Sequence, residues 1–188
     1  MANITTVALT LEQYKEIIET MRTGGAGFRP NERILTALTL EANLGIRISD
    51  ILALTPKSFI NDGNRCRLNI TEIKTKKKRY FTVPDEVYNF VKEYCKVNNI
   101  QPNERIFPFT VRNVQIYLRK VADYLGYENI STHSFRKYFG TAILEHNNYN
   151  FILVQRLYQH SSPAITQRYI GITSEEMENA LKEHIVIL

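Results

Sequence analysis

The chain has 188 residues, 24 Lys plus Arg against 19 Asp plus Glu for a formal net charge of +5, and no Trp. Hydrophobic residues at 44% and charged residues at 23% match a folded soluble domain, which excludes a disordered tail or a fibrous repeat. No apolar run reaches the ~20 residues that cross a bilayer, and the opening MANITTVALTLEQ lacks a basic n-region and an apolar h-region, so a cytoplasmic protein without a membrane partner is expected.

Thr10 is placed to cap a first helix running to about Thr23, with Gln13 completing a capping box and Gly24 ending it. Asn31 starts a second helix whose apolar face carries Ile34, Leu35 and Leu38 and which ends near Gly45. Ser49 is the expected cap of a short third helix. From Ser58 the apolar period changes to two, with the turn Asn61 to Asn64 joining two strands, and a third strand spans Tyr80 to Val83. Pro84 and Asp85 open a helix with Val87, Val91 and Tyr94 on one face. Thr110 caps another that Gly126 stops, and further helices cover roughly His133 to Glu145, Phe151 to Tyr158 and Ser174 to His184. The expected fold class is α+β, mainly α-helical, with helices around a small three-stranded antiparallel sheet. Residues 1–188 read as a single domain. Cys66 and Cys95 are too few and too unpatterned for a disulfide framework or a zinc site.

The charge is unevenly placed. Arg65, Arg67, Lys74, Lys76, Lys77, Lys78 and Arg79 share one segment with Glu72 as its single acid, while the rest of the chain is about neutral. A basic run of this kind can be a solvated turn, but a local positive field on a neutral body is also what a phosphate backbone attracts. Double-stranded DNA is therefore the expected partner class.

Four groups bear on chemistry: GIRISD at Gly45 to Asp50, the KTKKKR turn, HSFR at His133 to Arg136, and His160 followed by Tyr169. Singly, each has a plain structural reading: Arg47 as a surface residue at a helix start, His133 and Arg136 as a helix cap beside a solvated Arg, Tyr169 as one of eleven tyrosines. In order and spacing, from Leu9 to about Ile172, they resemble the tyrosine recombinase (phage integrase) family. GIRISDILAL resembles the family's first-arginine box, HSFRKYFGT its second box, and VQRLYQHSSPAITQRYIGIT its last histidine and nucleophilic tyrosine. TEIKTKKKRYFTVP is similar to the hairpin that delivers the family's lysine. The resemblance implies Arg47, Lys74, His133, Arg136, His160 and Tyr169 as the catalytic set, with Lys76, Lys77, Lys78 and Arg79 meeting the DNA backbone. Lys74 matches the K-T wording and is favoured as the catalytic lysine, whereas Lys76 better fits the usual spacing to Val83-Pro84. Tyr158-Gln159-His160 departs from the family's Leu-Gly-His. The family's N-terminal core-binding domain is not recognisable in this chain.

The residue types suit phosphodiester exchange. A tyrosine phenol can attack and later leave, so a 3′-phosphotyrosyl bond conserves the energy for rejoining. Arg47 and Arg136 offer forked donors to nonbridging oxygens, His160 a further donor, and an ammonium on Lys74 can protonate the departing 5′ oxygen while His133 takes the phenol's proton. Acids are not clustered, so no metal is expected, and neither a cofactor nor a small-molecule substrate is called for. Asp50 reads as an orienting or helix-start charge. The implied activity is that of a site-specific recombinase, a multimer on DNA during strand exchange. A type IB topoisomerase-like nicking and closing enzyme and a noncatalytic DNA-binding protein are the competing readings.

Overall fold

The structure, a computed structural model, describes residues 6–160 and Thr166. The expected helix over Ser174 to His184 lies outside the described residues, as does Tyr169. The described residues form seven α-helices and one three-stranded antiparallel sheet, the architecture expected from the sequence. They fall into two compact units, Met1–Phe139 and Gly140–Leu188.

In the first unit, α1 (Leu11–Thr23) starts at a reciprocal cap: Gln13 N–H donates to Thr10 Oγ1 at 3.1 Å, and Thr10 N–H donates to Gln13 Oε1 at 3.0 Å. It buries Ile17 and Met21 against α2 (Glu32–Leu44). Helix α2 is the centre of the core, burying Ile34, Leu35, Leu38, Leu40 and Leu44; each such side chain contributes about 1.5–3 kcal/mol by leaving water. It ends at Gly45 in the left-handed conformation, φ +59.

The next helix departs from expectation. Helix α3 (Ile48–Ile51) has Arg47 at its N-cap, and Ser49 lies inside it. No side chain local to the turn is needed as a cap, because the Ile48 N–H donates to Glu41 Oε1 of α2 at 2.9 Å.

Strands β1 (Phe59–Asp62), β2 (Arg65–Thr71) and β3 (Lys78–Val83) pair in that order. Phe59 faces Leu68, and Leu68 faces Phe81, so one side of the sheet buries Phe59, Cys66, Leu68 and Val83. Gly63, φ +64, permits the tight β1–β2 turn. Strand β3 begins two residues before the expected Tyr80, since Thr71 pairs with Lys78 and Ile70 with Arg79. Helix α4 (Asp85–Val97) packs on β2. Helix α5 (Val111–Leu125) is capped by Thr110 with Asn113, is stopped by Gly126 at φ +72, and packs on α1. Helix α6 (Thr132–His146) opens with buried Thr132, Ser134, Phe135 and Arg136.

The second unit contains the rest of α6 from Gly140 and α7 (Phe151–Tyr158), which Asn150 caps by accepting the Leu153 N–H at 3.2 Å. Leu144, Val154 and Tyr158 are buried. Gly140 is required here: an added Cβ would stand 2.6 Å from the Tyr158 hydroxyl oxygen.

Candidate active site

Glu72, directly after β2, joins two of the cationic residues of the first unit, Arg47 and Arg79. Its side chain is 2% exposed, Oε2 accepts from Arg47 Nη1 at 2.7 Å, and Oε1 accepts from Arg79 Nη1 at 3.2 Å. The Thr75 hydroxyl donates to Oε2 as well. Burial alone would raise this carboxyl, but the hydrogen bonds from Thr75 and Arg47 and the charges of Arg47 and Arg79 outweigh it and hold it below the ordinary carboxylate range.

The backbone of Glu72 also closes the basic turn, its N–H donating to Lys77 O at 2.9 Å and its carbonyl accepting the Lys76 N–H at 2.9 Å. Lys76 takes a left-handed backbone, φ +57. Lys74 and Thr75 are thereby exposed at the apex, and Lys76, Lys77 and Lys78 are exposed beside them. The next residue, Ile73, donates its N–H to Asp50 Oδ1 at 2.8 Å, tying the turn to α3. Burial raises the Asp50 carboxyl against the lowering effect of that bond, and burial raises Glu41 more strongly, with Arg136 and the Ile48 N–H opposing it.

Arg136 is 1% exposed, in the first turns of α6. His133, one turn earlier, reaches solvent with part of its ring, yet desolvation by its surroundings and the charges of Arg136, Arg47, Lys74 and Lys137 lower its pKa, which keeps the imidazole neutral at pH 7. The structure thus brings Arg47, Lys74, His133 and Arg136 together in one unit. Arg79 is placed differently from expectation: it is 3% exposed, ion-paired with Glu72 and stacked over Phe81 at 5.1 Å, so it faces the interior and not a DNA backbone.

His160 belongs to the second unit. Its N–H donates to Gln155 O at 3.0 Å, its Nδ1 lies 3.0 Å from Thr166 Oγ1, and its ring stacks obliquely on Tyr158 at 5.1 Å. Gln159 before it is left-handed, φ +54. The turn that glycine would make in Leu-Gly-His is therefore made by glutamine, at a strain of about 1–2 kcal/mol. Among the described residues, no group of three or more His, Cys, Asp or Glu is arranged to hold a metal ion, and no helix is long and apolar enough to cross a membrane.

Sequence reasoning missed two supports. Glu72 was visible only as the single acid in a basic run. Glu41 was visible as an acid in a buried stripe, three residues from Leu38 and three from Leu44.

Residues 8–176 match the phage integrase family model, and the chain belongs to this family, the tyrosine recombinases. It is 35% identical over 159 residues to "Probable integrase/recombinase YoeC" of Bacillus subtilis (strain 168), covering 81% of this chain and 84% of that protein. It spans about half the length of other curated relatives. Among solved structures, XerH site-specific recombinase bound to palindromic difH substrate in a post-cleavage complex matches 97% of this chain and 54% of its own, with TM-score 0.74 and 18% identity. The catalytic domain of bacteriophage HP1 integrase matches 95% of both chains, with TM-score 0.63 and 17% identity. At these identities the structural likeness establishes the fold alone.

Proposed function

We propose that this chain is a site-specific recombinase that cuts and rejoins double-stranded DNA through a 3′-phosphotyrosyl intermediate. The observation that carries the proposal is the convergence of Arg47, Lys74, His133 and Arg136, residues spread over 90 positions of sequence, with a neutral imidazole among cations. The similar Tn1549 transposon integrase, solved in complex with a circular intermediate DNA, supports DNA as the partner.

The Tyr169 phenolic oxygen forms a bond to the scissile phosphorus as the bond from phosphorus to the 5′ oxygen breaks. The phenol's proton passes to His133, and the departing 5′ oxygen receives one from Lys74 Nζ. Arg47, Arg136 and His160 hold the nonbridging oxygens of the crowded transition state, where removing one donor costs about 10²-fold. Rejoining is the reverse, with a 5′ hydroxyl as nucleophile and the phenol as leaving group, so no ATP is consumed. Lys74 is preferred over Lys76 because it stands at the apex of the turn and its charge acts on His133. Lys76, Lys77 and Lys78 would meet backbone phosphates. Exchange between two duplexes breaks four strands, so the working form is a multimer on DNA. Residues 1–188 are read as one catalytic domain acting in the cytoplasm.

The test is covalent trapping from a pool of nicked duplexes, which reports the target site and the reaction class together. The parent chain is expected to form a protein-DNA adduct and Tyr169→Phe none, with DNA affinity nearly unchanged because the lost hydroxyl carries no charge before attack. An adduct with Tyr169→Phe overturns the assignment of the nucleophile.

A further inference from the structure

We propose that Glu72 is a positioning residue for strand cleavage, a buried carboxylate that aims the Arg47 guanidinium and sets the Lys74 turn through a single side chain. The inference rests on the reading of Arg47 and Lys74 as catalytic, and it adds a residue that neither the motif boxes nor the nucleophile requires.

An arginine places its forked donors on a phosphate only if its long side chain is held, since a free side chain must lose its rotamer entropy on binding. Here one Arg47 amino group is fixed at 2.7 Å on Glu72 Oε2, leaving the remaining donors of the fork for a ligand. The carboxylate is itself fixed, by Arg79 at 3.2 Å on its other oxygen and by the Thr75 hydroxyl. Arg79 is 3% exposed and cannot swing into solvent. Thr75 adjoins Lys74, and the Glu72 backbone closes the turn on Lys76 and Lys77. The arginine and the lysine are therefore referred to the same rigid point, although 27 residues separate them in the chain. A preorganised site holds its donors where charge develops before the substrate arrives.

Two variants test this in the full chain, on nicked duplexes selected by covalent trapping. Glu72→Gln keeps the shape but removes the charge. Its cleavage rate at saturating DNA is expected to fall at least ~10-fold, and the double variant Glu72→Gln/Arg47→Lys to cleave within ~3-fold of Arg47→Lys alone, because one residue acts through the other. Independent, multiplying losses overturn the proposal. Since Glu72→Gln strips a buried arginine of its anion and can impair folding, Thr75→Val provides the second arm at an exposed position. It is expected to melt like the parent, to cleave slowly, and to regain rate on a 5′-bridging phosphorothiolate, whose thiolate leaves without a proton; Thr75→Ser should cleave normally. A parental rate in Thr75→Val, or a slow rate that the phosphorothiolate leaves unchanged, also overturns it. Arg47→Lys alone reports on the functional reading: if it is impaired while the cycle is additive, only the role of Glu72 falls.

Discussion

Replacing Gly45 with alanine should damage both stability and cleavage, for two separable reasons. Gly45 adopts φ +59 at the end of α2, two residues before Arg47, and a Cβ in that conformation costs about 1–2 kcal/mol. The same Cβ would collide with Phe139 Cδ1 and Cε1, contacts that force the ring aside. Overpacking of this kind costs about 1–3 kcal/mol. The loss of about 2–5 kcal/mol corresponds, at roughly 2–4 °C per kcal/mol for a chain of this size, to a Tm lower by roughly 4–20 °C. Phe139 lies one turn after Arg136 on α6, so the clash displaces the second-box helix relative to Arg47. Gly45→Ala should therefore slow adduct formation even well below its Tm. Adding Phe139→Leu should recover the steric share and leave the backbone share. Thermal melts by circular dichroism and single-turnover cleavage are the assays. A Gly45→Ala protein that melts within about a degree of the parent would refute the reasoning, as would a Phe139→Leu background that changes nothing.

Two further predictions concern charge. Lys74→Ala should bind DNA normally, cleave slowly and regain rate on a 5′-bridging phosphorothiolate, whereas Lys77→Ala should weaken binding to all sequences and reduce the salt slope by about one unit, with cleavage restored at saturating protein; rescue of Lys76→Ala instead would move the general acid two residues along the turn. Burial raises the Glu41 carboxyl well above its ordinary value of 4.5, so the folded chain binds that proton more tightly than the unfolded chain, and stability contributed by the protonated form is lost as pH rises from 4.5 through the folded value. Glu41→Gln retains an oxygen for the Ile48 N–H and lacks this slope, so its Tm relative to the parent should improve as pH rises across that window, and parallel melting profiles would show that Glu41 does not titrate there.

The parts of the fold legible in the sequence are those whose cause lies within a few residues. Thr10 with Gln13 and Thr110 with Asn113 fix helix starts through their own side chains, and Gly126 stops α5 through its own backbone freedom. Ser49 misled because the group satisfying the start of α3 comes from another helix: Glu41 reaches the Ile48 N–H across the core, and no local pattern records that distance. Arg79 misled for a related reason. A linear count of charge treats neighbours alike, but pairing of Ile70 with Arg79 carries β3 into the sheet and turns that arginine inward onto Glu72 while the three lysines before it stay exposed. The site boxes stood out in the sequence as a family resemblance, in residue types that phosphodiester exchange can use. The acids beneath them did not, since any buried carboxylate that reaches the arginines would serve.

That freedom has an electrostatic limit. Arg47, Arg79 and Arg136 are held around Glu41, Asp50 and Glu72, and three ionised acids would balance three guanidiniums and leave little attraction for a phosphate. The acids are not equivalent. Glu72 is held ionised by Arg47 and Arg79, while burial pushes Asp50 and, further, Glu41 toward the neutral acid. The cluster therefore holds one firm anion on two arginines, while burial shifts the other two carboxyls upward, and Arg136 and Arg47 lie close enough to His133 to add to the desolvation that depresses its pKa. A neutral imidazole can take the proton of a phenol and a positioned guanidinium can bind a phosphodiester, and the buried acids beneath the site bear on both through the arginines they hold.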